Sequence, residues 1–207
     1  MKAYRFTMDF DEVIRQRRMC RNFSERPVPP GTVDRLLERA VRAPSAGFSQ
    51  GWRFLVLEGQ QEVGRFWTAL ADEAWRRNPN LPGLLRAPVV VVPLASPQPY
   101  LERYSEPDKM SRGLSEAGAW AVPYWLVDAS FATMLLLLGA VEEGLGALFF
   151  GRDEAAYQRL RREFAVPAHW QPLGAVLLGW SATEPGPRGS ATRARRPLGE
   201  VVHRGGW

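Results

Sequence analysis

The stretch Ala121-Val122-Pro123-Tyr124-Trp125-Leu126-Val127-Asp128-Ala129-Ser130-Phe131-Ala132-Thr133-Met134-Leu135-Leu136-Leu137-Leu138-Gly139-Ala140-Val141 runs straight into Glu142-Glu143-Gly144-Leu145-Gly146-Ala147-Leu148-Phe149-Phe150. Its apolar part is of marginal length for a membrane span, carries Pro123 and Asp128 inside it, and meets two carboxylates at its end. A proline and a charge in so short a span favour a helix of about 122–143 buried in a protein core. Gly144 and Gly146 permit a tight turn into a short strand, Ala147 to Phe150. A buried helix feeding a strand through such a turn points to mixed α+β architecture.

The flanking sequence supplies the remaining elements. Asp9 and Glu12 have capping-box spacing, and Phe10, Val13, Ile14 and Arg17 recur with helical period, so a short amphipathic helix is expected from 9 to about 18. After the turn at Pro27, Pro29 and Pro30, Thr32 caps a helix with Val33, Leu36, Leu37, Ala40 and Val41 on its apolar face, closed by Pro44. A structured loop, Ala43 to Gln50, leads to a strand at Arg53–Leu57 and a helix of about 60–77. Pro88-Val89-Val90-Val91-Val92-Pro93 reads as a buried strand bracketed by prolines. Residues 94–119 lack a sustained period and are expected to form a lid or an insertion. A helix of about 153–164 and a strand at Gly174–Leu178 bring the sheet to roughly four strands. Beyond residue 181 the run Glu184-Pro185-Gly186-Pro187-Arg188-Gly189 breaks the core pattern. The segment 181–207, in which Pro197 to Val202 suits an edge strand, is either frayed or laid across a partner subunit.

Composition narrows the function classes. The 207 residues are 45% hydrophobic and 24% charged, as in a folded domain rather than a disordered chain or a fibre. One cysteine, Cys20, excludes a disulfide framework and a thiolate metal cluster. With only His169 and His203 as histidines, zinc catalysis is disfavoured and no metal is expected. The net charge of +5 is compatible with nucleic acid, an anionic membrane or an anionic cofactor. The arginines alternate with acidic residues instead of forming a continuous basic groove, which argues against nucleic-acid binding. The N-terminal sequence does not read as a secretory signal, so a cytoplasmic setting without membrane association is expected.

Few residues suggest side-chain chemistry. Ser45, Ser49 and Ser130 have no evident base partner, Cys20 reads more simply as a non-catalytic helix residue, and Glu142-Glu143 reads as a surface pair. Gly144-Leu145-Gly146 precedes a strand, the wrong context for a dinucleotide fingerprint. Arg17 and Arg21, with Arg18 between them, suit bidentate hydrogen bonding to a phosphate, but by spacing alone they read more simply as a solvated helix end. Arg193 and Arg195 form a second such pair in the tail. Trp52, Trp67, Trp75, Trp120, Trp125, Phe149 and Phe150 supply planar surfaces that serve a core or a ring ligand alike.

Five blocks in order resemble the nitroreductase family of flavin enzymes: Arg17 to Phe23, Ala43 to Trp52, Gly144 to Gly151, Leu173 to Trp180, and Arg193 to His203. The resemblance implies one nitroreductase-like domain over 1–207, with a central, mostly antiparallel sheet flanked by helices. It further implies a homodimer holding two FMN molecules at its interface, with residues 181–207 as an arm crossing to the partner. By the same resemblance Arg17 and Arg21 hold the FMN phosphate, Arg18 contributes through its backbone or on the ribityl side, and Arg193 and Arg195 close the phosphate site. Pro44, Ser45, Ala46, Phe48 and Gln50 lie along the flavin, and the backbone at Phe150 and Gly151 approaches flavin N5, the reacting position. NADH or NADPH is the implied reductant and an electron-poor aromatic, a quinone or nitroaromatic, the implied acceptor, both using one pocket in ping-pong fashion. Tyr100, Tyr104 and Trp120 are expected to form the substrate-facing wall.

Two positions depart from the family pattern. Met19 stands where a serine is common, which removes a hydroxyl from the phosphate region. Phe48 stands where an asparagine is common, which removes an amide from the flavin edge. These departures point to another substrate or to a deazaflavin in place of a nicotinamide reductant; a non-redox flavin-binding role and an oxygen-dependent reaction are the competing readings from other classes.

Overall fold

The computed structural model describes residues 8–78, 81–182 and 193–207. Its centre is β2 (Val89–Ala95), all of whose residues are buried. β2 pairs antiparallel with β1 (Trp52–Glu58) on one side, and with β5 (Ala175–Gly179) and the two-residue β4 (Gln171–Pro172) on the other. β3 (Gly146–Phe150) pairs antiparallel with β5, so the order is β1-β2-β5-β3 and the edges are β1 and β3.

The proline expected to end β2 lies inside it. β5 pairs with β2 only at Val89 to Val91 and β4 only at Leu94 and Ala95, so Pro93 occupies the gap between them and its missing N–H breaks no ladder. Its carbonyl accepts from the N–H of Leu173 at 2.9 Å.

Alternation along the strands sends side chains to two cores. Val90, Val92, Leu148 and Leu177 pack with Phe66, Trp67, Leu70 and Leu160 from α3 (Gly59–Leu70) and α8 (Glu154–Glu163). Val89, Val91, Val176 and Leu178 pack with Leu36, Ala40, Leu136 and Ala140 from α2 (Thr32–Ala40) and α7 (Tyr124–Glu142). By length and composition α7 is apolar enough to cross a membrane, yet here one side of it covers the sheet, as the buried-helix reading expected.

Several expected boundaries shift for local reasons. α1 spans Phe10–Gln16 and ends earlier than expected, because Arg17 leaves helical geometry and Met19 joins the edge of β3. The helix expected over 60–77 breaks at Ala71; the Asp72 carboxylate accepts the Trp75 N–H and starts a separate turn, α4 (Glu73–Arg76), ahead of α5 (Leu81–Leu84). Glu142 and Glu143 are not a surface pair: they are largely buried and pair with Arg39 at 2.7 and 3.1 Å, and Glu143 also pairs with Arg35 at 3.0 Å. The segment 94–119 holds α6 (Gln98–Tyr104) and two 3-10 turns, Met110–Arg112 and Ala117–Ala119. Residues 198–201 form a helical turn, α9 (Leu198–Val201), in place of the expected edge strand, and Glu184 to Gly189 lie outside the described residues.

Two measurements follow from this packing. Leu177 is fully buried in a central strand, so Leu177→Ala should lower unfolding stability by about 2–5 kcal/mol in denaturant titration. The Ala156 N–H, then Arg152, hold the Asp153 carboxyl below the usual range; the Trp75 N–H and Arg152 do the same for Asp72. Depressed folded-state values stabilise above the ordinary carboxylate pKa, and that stability is lost as pH falls through the folded value. The thermal midpoint should therefore drop on acidification, and Asp153→Asn, which keeps a capping acceptor but does not titrate, should flatten part of that drop.

Candidate functional site

The expected site residues fall into two groups, one at each edge of the sheet. At the β3 edge, the Cys20 N–H donates to the Ala147 carbonyl at 2.8 Å, and the Phe149 N–H points to Met19 Sδ at 3.5 Å. These contacts fasten the arginine segment to the start of β3. Arg17 and Arg21 thus follow α1 in the connecting chain instead of sharing a helix face, and both are half-buried. Arg21 donates to the Met19 carbonyl at 3.3 Å, while exposed Arg18 folds back on the carbonyls of Arg15 and Arg17. Arg17 Nη1 is buried and has no hydrogen-bond partner among the described residues. A buried guanidinium nitrogen without an acceptor is costly, and the chemistry that relieves it is an anion.

Phe150 ends the same strand and Gly151 follows it, about 10 and 13 Å from Ala147 at strand rise. The Phe150 ring lies parallel to Trp67 (centroids 6.0 Å, planes 4° apart) and against Trp75 at 5.1 Å. Arg152 is buried next to them. It donates to the Leu70 carbonyl at 2.7 Å, pairs with Asp72, and stacks on Trp75 at 4.9 Å. This packing fixes the backbone at 150–152, where exposed Gly151 has no Cβ to block an approaching ring. The β3 edge therefore offers cationic groups at one end and open backbone at the other, a fit for an elongated cofactor with a phosphate and a ring system.

The second group lies beyond β1. Pro44, Phe48 and Gln50 are exposed, and Ser45 and Ala46 are half-buried, in a loop with left-handed backbone at Gly47, Phe48 and Gln50 (φ 61°, 58° and 50°). Ser45 Oγ accepts the Gln50 N–H at 3.0 Å, Arg103 donates to the Gly47 carbonyl at 3.1 Å, and Asp128 accepts the Ala46 N–H at 2.8 Å. Tyr104 and Trp120 meet edge to face at 4.8 Å and, with Ala46, Leu114 and Tyr124, line a cleft of about 490 Å³. Tyr100 does not join that wall. It is fully buried and donates its hydroxyl to Asp128 at 2.8 Å, because Gly51 leaves room for its ring under the loop.

The groups do not meet within one chain. Three strand spacings, roughly 14 Å, separate β1 from β3. Along α7, Asp128 beside the loop is about 21 Å from Glu142, near where the chain turns toward the arginine segment. Arg193 and Arg195 are exposed. Asp128, Arg103 and Arg152 were not foreseen as site residues. The one available signal was a carboxylate inside an apolar helix, whereas the roles of both arginines depend on contacts distant in sequence.

Comparison with known proteins agrees with the fold. The chain is 28% identical over 218 residues to a Thermus thermophilus protein named NADH dehydrogenase, covering 98% of each. A protein of Exiguobacterium sibiricum, solved in complex with FMN, superposes with a TM-score of 0.70 at 19% identity, over 95% of this chain and 97% of that one. A Clostridium difficile protein described as an FMN-dependent nitroreductase superposes with a TM-score of 0.66 at 19% identity, over 94% and 98%. The sequence model of the nitroreductase family matches residues 14–180, which span the arginine segment, the β1 loop, α7 and all five strands, and the chain therefore belongs to the nitroreductase family.

Proposed function

We propose that the protein is an FMN-dependent oxidoreductase that moves a hydride equivalent from NADH or NADPH to an electron-poor acceptor such as a quinone or nitroaromatic. The observation that carries this reading is the β3 edge, with, at one end, a buried Arg17 nitrogen that has no hydrogen-bond partner among the described residues and, at the other, open Gly151 backbone. Arg17 and Arg21 hold the phosphate there, with Arg18 beside them and Arg193 and Arg195 closing over it. When bound, FMN supplies the two-electron chemistry. The chain's own part is placement: the Trp67 and Trp75 stack and the bonds of Arg152 keep the Phe150–Gly151 backbone fixed, and an N–H in that position stabilises charge on a reduced ring. Reductant and acceptor use one pocket in turn, an arrangement that needs no side-chain nucleophile. Tyr104 and Trp120 wall the acceptor side.

The site is completed by a second copy of the chain. The loop residues Pro44, Ser45, Ala46, Phe48 and Gln50 sit on the opposite edge from the arginines, so the partner's loop covers each flavin. An apolar face suits this assembly: Phe131 and Met134 of α7 and Phe10 and Ile14 of α1 are each 46–67% exposed, and the two helices pack together. Residues 181–207 form the arm that crosses to the partner, with Leu198 and Val201 as exposed apolar anchors.

In an anaerobic absorbance experiment the FMN-loaded protein should bleach on addition of NADH or NADPH and recover its oxidised band with a quinone. Failure to take up FMN overturns the proposal; bound flavin left unreduced moves the reductant to a deazaflavin or another donor. Arg17→Ala and Arg21→Ala should each weaken FMN binding about tenfold or more by fluorescence titration. Phe131→Asp with Met134→Asp should give a monomer in sedimentation velocity that binds FMN poorly.

A further inference from the structure

Asp128 is a carboxylate set in an apolar helix and only 3% exposed. Its Oδ2 serves two donors from different parts of the chain: the Ala46 N–H at 2.8 Å and the Tyr100 hydroxyl at 2.8 Å. Burial, followed by the hydrogen bond to Asp128, pushes the Tyr100 phenol well above its ordinary range, so it remains a donor at working pH. The Tyr100 ring in turn supports the end of the loop. A Cβ on Gly51 would lie 2.2 Å from Tyr100 Cε2, and the Gly51 carbonyl accepts the Ser96 N–H at 3.1 Å.

Between these supports the backbone is unusual. Phe48 and Gln50 are non-glycine residues in left-handed conformation, next to Gly47 in the same region, and Phe48 is 75% exposed. Such backbone persists only where the surroundings over-determine it. Besides the loop's own backbone bonds, the supports among the described residues are the Asp128 carboxylate at Ala46, Ser45 Oγ at Gln50, the Ser49 hydroxyl at the Ala46 carbonyl, and Arg103 Nε at Gly47. Asp128, on α7, bonds both the loop and α6.

We propose that Asp128 is a positioning residue, whose carboxylate, shared by the Ala46 N–H and the Tyr100 hydroxyl, holds loop 45–50 in its left-handed form and so sets Phe48 and the Ser45–Ala46 backbone against the flavin of the partner subunit. Only the last step rests on the flavin reading above. The arrangement places an exposed aromatic ring, where the family commonly carries an amide, on a loop whose shape depends on a carboxylate outside it. Loss of that carboxylate frees the Ala46 N–H and loosens the loop while leaving the loop's own side chains unaltered.

The test compares full-length wild type with Asp128→Ala, Asp128→Asn and Tyr100→Phe, by amide hydrogen exchange and by FMN titration with visible spectra. In Asp128→Ala, exchange at residues 45–50 should rise about tenfold or more, with residues 147–150 and 175–179 unchanged, and FMN affinity should fall about tenfold. Asp128→Asn keeps an amide oxygen in place and should recover part of both losses. Tyr100→Phe should loosen the same loop to a smaller extent and shift the bound-flavin spectrum. Should Asp128→Ala fold poorly, the asparagine and phenylalanine variants decide the matter. Unchanged exchange at 45–50 in the folded variants, or a rise spread evenly over the sheet, overturns the proposal. If wild type takes up no FMN, the flavin reading fails on its own, while the exchange comparison still decides whether Asp128 holds the loop.

Discussion

Burial of β2 on both faces is the constraint on which the other elements depend. A strand with apolar residues at every position exposes hydrophobic surface unless helices cover both sides. Here α3 and α8 cover one face while α2 and α7 cover the other. β1 and β5 then take their register from β2, and β3 from β5, which puts the two halves of the candidate site at opposite edges. A protein organised in this way cannot bring its arginine segment and its β1 loop together within one chain.

α7 serves both the core and the site. Its buried side packs on the sheet, its C-terminal carboxylates pair with Arg35 and Arg39 of α2, and its first turns place Asp128 under the loop. Phe131 and Met134 lie on the other side and remain exposed. This division explains why the helix is apolar almost all round although only part of it is buried in the chain: its second apolar side suits contact with another copy. One helix thus packs the core, supports the 45–50 loop through Asp128 and carries the exposed stripe.

Much of this architecture was legible before any coordinates. The valine run of β2 and the turn at Gly144 and Gly146 are local signals, and those elements appeared where their patterns placed them; Thr32, expected to cap α2, is instead its first residue, behind Gly31 at the cap position. The misses share a cause. Pro93 looked like a strand terminator because the gap between β4 and β5 pairing is invisible in a local window. Asp72 was not recognised as a cap inside a run of helical residues. Tyr100 looked like a wall residue because aromatic character says nothing about which side of a loop a ring occupies. Glu142 and Glu143 looked solvated because their arginine partners come from α2, about a hundred residues earlier.

By itself the sequence determined the α+β class, the four longer strands and the main helices, the family and the identity of the arginine and loop segments, because these reside in periodicity and short ordered blocks. Tertiary structure alone decided that Arg17 keeps a buried nitrogen without a hydrogen-bond partner among the described residues, that Asp128 joins Ala46 to Tyr100, and that the two groups of candidate residues lie across the sheet from each other. Those facts are distances between residues far apart in the chain, set by strand order and helix packing, and no local pattern encodes them.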